Sequence, residues 1–396
     1  MDSPKRILTK KKICVVVFSR ANYARIKSLL KSINNNEGLE LQLVVGASAL
    51  LYRFGNPIDL IRSDGFEPAE VLYNIIEGDK PITMAKSAGL GIIELATIFE
   101  KLNPDIVLTV ADRFETLSTA VAASYMNIPL AHTQGGEVTG SIDESVRHAI
   151  TKLSHLHFPA TKRSREYILR MGEDPNFVHQ VGCPSIDLLV ENDLRLESDT
   201  LSKYSGVGSE IDLSKNYLVV LQHPVTTEYG LGSGQIEETL KAVKKLGEEG
   251  LQIIWLWPNI DAGADDISKG IRSFRETENP KYIKFYKNFS PIDYAKLINN
   301  SKCLIGNSSS GIREAAYLGL GSVNIGNRQQ DRERGDNVID CNHIANDIYK
   351  AAKYQINKGR YNSSDIFGIG NSGKKIAEIL LKTEINIKKR LNYLDE

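Results

Sequence analysis

Short, mostly apolar runs alternate with amphipathic stretches along almost the whole chain. Ile13–Phe18, Leu41–Val45, Ile106–Val110, Leu130–Thr133 and His157–Pro159 have the look of parallel strands buried on both faces. Between them, Tyr23–Ile33, Thr83–Leu102, Phe114–Met126 and Glu144–Leu153 carry apolar residues at helical spacing. The second half repeats the scheme. Strands are expected at Tyr217–Leu221, Gln252–Trp257, Tyr282–Phe285, Cys303–Ile305 and Ser322–Ile325, and helices at Gln235–Gly247, Tyr294–Asn299 and Gly311–Leu318. This alternation predicts an α/β protein of two Rossmann-like, doubly wound domains. The polar segment Glu191–Lys215 separates the halves. The expected division is therefore residues 1–190, a linker at 191–215, residues 216–370, and a terminal segment 371–396 whose helix, Lys374–Lys382, can pack on either half.

A length of 396 residues exceeds what one hydrophobic core usually serves, in keeping with two domains. The 49 basic and 49 acidic side chains balance, so nothing in the bulk charge points to nucleic acid or an anionic membrane. An anionic ligand must then be held by local arginines and helix ends. Lys5 to Lys12 is basic, but the apolar run after it is too short for a signal-peptide core. No segment approaches the length of a membrane span, and a cytoplasmic protein is expected. The four cysteines are scattered and show no C-x-x-C spacing, which reads as reduced thiols.

Candidate chemistry sits at the carboxyl ends of the predicted strands, where doubly wound sheets bind ligands. Gly306–Asn307–Ser308–Ser309–Ser310–Gly311–Ile312–Arg313–Glu314 follows one strand and opens a predicted helix, a placement that suits phosphate. It is not a P-loop, because no Gly-Lys-Ser/Thr follows. Arg20 ends the first strand, Asp112 and Arg113 the third, and His132, Gln134 and Glu137 the fourth. Asp112 is equally well placed to cap the next helix. Asp143 and Arg147 share a helix face with His148 nearby, the spacing of an ordinary solvated ion pair as well. In the second half, His223, Asn259 and Arg328 follow strands and suit phosphate, sugar or base. His155 and His157 offer only two ligands with no cysteine nearby, so no metal is expected.

Taken together, these residues resemble the hydrolysing UDP-N-acetylglucosamine 2-epimerases of sialic-acid biosynthesis. The resemblance runs from about Ile13 to Asn337. It rests on SRANY (Ser19–Tyr23), ADRFE (Ala111–Glu115), GGEVTGSIDESVRHAITKLSH (Gly135–His155), GCPSID (Gly182–Asp187), QHPVTT (Gln222–Thr227), PNIDAG (Pro258–Gly263), GNSSSGIRE (Gly306–Glu314) and GNRQQDRERGDNV (Gly326–Val338). It implies a GT-B architecture closing over a UDP-sugar, in a homodimer or homotetramer. Nucleotide contacts would fall on Arg20, Arg113, His223, Asn259, Ser308, Ser309, Glu314 and Arg328. Glu314 would accept from the ribose hydroxyls, and Ser308 and Ser309 would hold the diphosphate. Asp112, Glu137 and Asp143 would serve the sugar chemistry, supported by His132 and Arg147.

The implied reaction turns UDP-N-acetylglucosamine and water into N-acetylmannosamine and UDP through 2-acetamidoglucal. No hydride moves, so neither a nicotinamide nor a catalytic metal is called for. Asn22 stands where many members carry Asp, and Gln134 where the non-hydrolysing and some hydrolysing members carry Glu. Glutamine cannot accept the proton, which leaves Asp112, Glu137 or Asp143. Alternatives within the same resemblance are UDP-N,N′-diacetylbacillosamine or GDP-N-acetylglucosamine as substrate, or the non-hydrolysing reaction. Outside it stand a turnover-free nucleotide-sugar-binding protein and a GT-B glycosyltransferase.

Overall fold

The computed structural model describes residues 10–52, 55–78 and 80–392; Lys5 to Thr9 of the basic N-terminal stretch lie outside the described residues. The first half holds a six-stranded, all-parallel sheet: β1 (Lys11–Val17), β2 (Leu39–Gly46), β3 (Glu70–Leu72), β4 (Ile106–Val110), β5 (Leu130–Thr133) and β6 (Leu156–Phe158), in the spatial order β3-β2-β1-β4-β5-β6. The second half holds β7 (Gly206–Gly208), β8 (Tyr217–Leu221), β9 (Gln252–Leu256), β10 (Ile283–Tyr286), β11 (Leu304–Gly306), β12 (Ser322–Ile325) and β13 (Val338–Cys341), ordered β13-β12-β11-β8-β9-β10-β7. Among the described residues, only β7, against β10, runs antiparallel. Apart from that edge strand, both sheets have the same winding, and their topological switch points lie at β1/β4 and β8/β11. The molecule is two Rossmann-like domains facing across a cleft, the GT-B arrangement.

The apolar runs explain the sheets. Ile13, Val15 and Val17 of β1 face one helical layer while Cys14, Val16 and Phe18 face the other, and all six are buried. Burying such side chains contributes roughly 1.5–3 kcal/mol each. The strand ends that carry polar groups are thereby mounted on the most rigid part of each half. At the end of β11, Gly306 sits at φ 135°, and a Cβ there would lie 2.0 Å from the Leu221 carbonyl oxygen of the neighbouring strand. Only glycine allows β8 and β11 to stay paired up to the switch point.

Several expectations are modified. The helix expected over Tyr23–Ile33 is two helices, Arg20–Ala24 and Lys27–Asn34, because the chain bends to bury both Tyr23 and Ile26 in the core. That bend leaves Arg25 at the break. Segment 191–215 packs on the second sheet, with Leu201 buried and Gly206–Gly208 paired to β10. The terminal helix, Ser372–Lys382, crosses back to the first half, where Ile376 and Leu380 join Leu29, Leu30 and Ile33. Asp187 anchors it by accepting from the Ser372 and Gly373 amides at 2.9 and 2.7 Å. The expectation that no segment reaches the length of a membrane span fails at Pro81–Leu102. This helix of 22 residues is long and apolar enough by length and composition. Its Leu95, Ile98 and Phe99 face, however, is packed into the first half.

Candidate active site

Both switch points open onto one cavity, with walls supplied by both halves. From the first half come Arg20 and Arg25 after β1, Asp112 and Arg113 after β4, and Asp143 from the helix Asp143–Leu153. From the second come His223 after β8, Asn259 after β9, the Ser308–Ser310 turn with Glu314 after β11, and Arg328 and Arg332 beyond β12. Among the described residues, five arginines and three carboxyl groups line the cavity, so its wall is net positive in a chain of zero net charge.

On the first wall, Ala111 takes a left-handed conformation, φ 64°, which turns the chain off β4 and aims Asp112 into the cavity. His132 accounts for the support of this turn. It is fully buried and its Nε2 lies 2.7 Å from the Ala111 carbonyl. Burial pushes His132 down to about 3, so it is a neutral imidazole donating through Nε2. Arg147, also fully buried, pairs with Asp112. Burial alone would raise the Asp112 pKa, but Arg147 and Arg25 outweigh it and hold the carboxylate ionised. Asp143 behaves oppositely. Burial, then the neighbouring charges of Asp112 and Asp261, push its carboxyl up to about 6. Two adjacent carboxyl groups thus differ sharply in proton affinity, the arrangement found where protons are moved.

On the second wall, the Asn307 side chain exchanges hydrogen bonds with the His223 backbone, at 2.7 Å to its N–H and 2.8 Å to its carbonyl. The Asn259 amide donates to His223 Nδ1 at 3.1 Å. That leaves Nε2–H as the donor of a neutral ring, whose pKa burial and Arg328 hold well below the ordinary value. Arg25 crosses the cleft to donate to Ser309 Oγ at 2.7 Å. Arg20 likewise donates to Asn288 at 2.5 Å. Arg113 is held by Glu115 at 3.0 Å and by Asp261 of the other half at 2.8 Å.

All eight residues expected at the nucleotide line this cavity, as do Asp112 and Asp143. The others are placed differently. His132 and Arg147 stand behind the wall, and Arg147 also donates to the Glu137 carbonyl at 2.7 Å. Glu137 does not line the cavity, and its carboxylate is paired with Arg313 and Arg332. Gln134 turns away to donate to Cys183 Sγ at 3.3 Å. The expected helix after the seryl turn shrinks to a 3₁₀ turn, Ser309–Gly311, and a four-residue helix, Glu314–Tyr317. Arg313, inside the same run, turns to the Glu137 carboxylate and does not line the cavity. His155 and His157 go to separate partners, His157 to Glu173 and His155 to the Leu130 amide, while His148 pairs with Glu144. Arg25, Asp261 and Arg332 are site residues that the sequence reading did not single out. Asp261 and Arg332 lie inside the PNIDAG and GNRQQDRERGDNV runs, which were the available signal.

Residues 31–381 match the family model described as UDP-N-acetylglucosamine 2-epimerase. A hydrolysing UDP-N,N′-diacetylbacillosamine 2-epimerase of Legionella pneumophila is 34% identical over 93% of this chain and 95% of its own. A UDP-N-acetylglucosamine 2-epimerase of Neisseria meningitidis serogroup B is 28% identical over 97% of this chain and 99% of its own. Among solved structures, a Methanocaldococcus jannaschii UDP-GlcNAc 2-epimerase in complex with UDP-GlcNAc and UDP superposes with a TM-score of 0.77. It covers 93% of this chain and 99% of that one, at 18% identity.

Proposed function

The chain belongs to the UDP-N-acetylglucosamine 2-epimerase family, and we infer that it is the hydrolysing form, releasing UDP and a free 2-epimerised 2-acetamido sugar. UDP-N-acetylglucosamine and N-acetylmannosamine are the substrate and product proposed. The observation that carries this reading is the net positive cavity between two switch points, with a pair of carboxyl groups of opposed proton affinity at its first-half wall. A diphosphate matches the arginine excess, and the carboxyl pair matches proton traffic at the sugar's second carbon.

The chemistry follows from what each group can do. The C2–H of a neutral hexosamine is too weak an acid for direct removal by a carboxylate. As the C1–O bond to UDP breaks, oxocarbenium character at C1 acidifies it. Arg328, His223 Nε2–H and the seryl turn face the departing diphosphate and offset its charge. Asp143, with its affinity near the operating pH, takes the C2 proton, giving 2-acetamidoglucal and UDP. Asp112 stays anionic beside Arg147 and opposes the positive charge at C1. Water then adds its hydroxyl to C1, and a proton enters C2 from the opposite face.

This route predicts one solvent hydrogen at C2 per turnover. In deuterated water the released N-acetylmannosamine should carry deuterium at C2, read by mass spectrometry or proton NMR; product without it would reject elimination. A second substrate reading, UDP-N,N′-diacetylbacillosamine, is favoured by one finding, the 34% identity to the Legionella enzyme against 28% to the Neisseria one. Presenting both sugar nucleotides and comparing kcat/KM separates the two.

A further inference from the structure

We propose that Glu137 is a positioning residue, a clasp that makes the closed cleft stable and sets Arg332 against the cavity, and that it carries no proton. Glu137 is 5% exposed and lies outside the cavity wall. Its Oε2 accepts from the guanidinium of Arg313 and, at 2.6 Å, from that of Arg332, both on the second half. Burial by itself would raise its pKa, yet the two arginines bring it to about 2. A carboxylate held this way is a poor proton acceptor at neutral pH.

The loop that bears Glu137 has no room to sit differently while the cleft is shut. A Cβ on Gly140 would lie 1.9 Å from the Asn327 carbonyl oxygen of the second half. The Gly140 amide donates to the Arg328 carbonyl at 3.3 Å. Arg147 ties the same loop to the helix that starts at Asp143, through the Glu137 carbonyl. One carboxylate therefore joins the arginines of one half to the carboxyl-bearing helix of the other.

The energetics give the clasp its direction. Two guanidiniums are buried at the seam, and the Nε and Nη1 of Arg313 have no hydrogen-bond partner among the described residues. Removing the one carboxylate that both share would leave uncompensated buried charge in the closed form, whereas the open form can hydrate them. Closure, not the proton step, is what Glu137 controls.

The test uses Glu137→Gln in the full chain, read by small-angle X-ray scattering and by calorimetry with UDP. Without any ligand the variant should be more extended than the wild type, with the closed-to-open ratio reduced roughly a hundredfold. UDP affinity should fall roughly tenfold or more, because binding must then draw the halves together. Only this second arm rests on the nucleotide reading above. If the wild type ignores UDP, that reading fails while the scattering comparison still decides the clasp. A Glu137→Gln protein as compact as the wild type, binding UDP equally well yet inactive, would overturn the proposal and restore Glu137 as a proton carrier. Should circular dichroism show that variant unfolded, Glu137→Asp takes its place, since a carboxylate one methylene shorter cannot reach both guanidiniums. It should show extension in the same direction, and unchanged compaction overturns the clasp.

Discussion

Asp112 and Asp143 differ by their company rather than their chemistry. One faces Arg147, the other faces Asp112 and Asp261. For Asp143 the folded-state pKa, about 6, stands above the value of about 3.9 for a free aspartate. The folded chain thus binds the extra proton between these values, and the stability this group contributes is full below about pH 4 and lost as pH rises through 6. Asp143→Asn should therefore raise stability at pH 7 by about 1–3 kcal/mol, with the gain vanishing at pH 4, as measured by denaturant unfolding at both values. Its turnover should fall by about 10²- to 10⁴-fold, and the acidic limb of the wild-type kcat/KM profile should centre near pH 6. These two residues were readable because they follow a strand or open a helix. Arg25 was hidden by the unforeseen bend at Ile26, and the fate of Glu137 by partners 176 and 195 positions away.

The strands that were foreseen are the central ones and the edge strand β6, all of them buried along most of their length. Those missed are edges: Glu70–Leu72, Gly206–Gly208 and Val338–Cys341 are three or four residues long and half open to water, so they carry no apolar signature. The GCPSID run illustrates a different limit. Its Asp187 is fully buried and caps the helix Ser372–Lys382, while also accepting from Ser28 Oγ at 2.8 Å. A carboxylate against a helix N-terminus is favourable both as a hydrogen-bond acceptor and toward the macrodipole. Asp187→Ala should cost about 2 kcal/mol in chemical denaturation and speed hydrogen exchange in residues 372–382, with the second sheet unaffected. No local pattern announces such a cap, because capping residue and helix are separated by more than 180 positions.

Arg25 to Ser309, Arg20 to Asn288, Arg113 to Asp261 and the Glu137 cluster all span the seam between the halves. A ligand wedged there would stabilise both halves together. UDP at about a hundred times its Kd should add about 2.7 kcal/mol, and scanning calorimetry should show one transition moving upward as a whole. A shift confined to part of the heat would mean that UDP sits on one half alone. The route of the polypeptide has its own bearing on this. Since Ser372–Lys382 completes the core beneath Leu29, Leu30 and Ile33, the first half cannot close its core without a segment that follows the whole second half. A fragment ending before it would present bare apolar surface to water, and a cut anywhere in 191–215 would leave two pieces still gripping each other. The first lobe is not a portable module, and any attempt to express or swap it must carry that helix along with it.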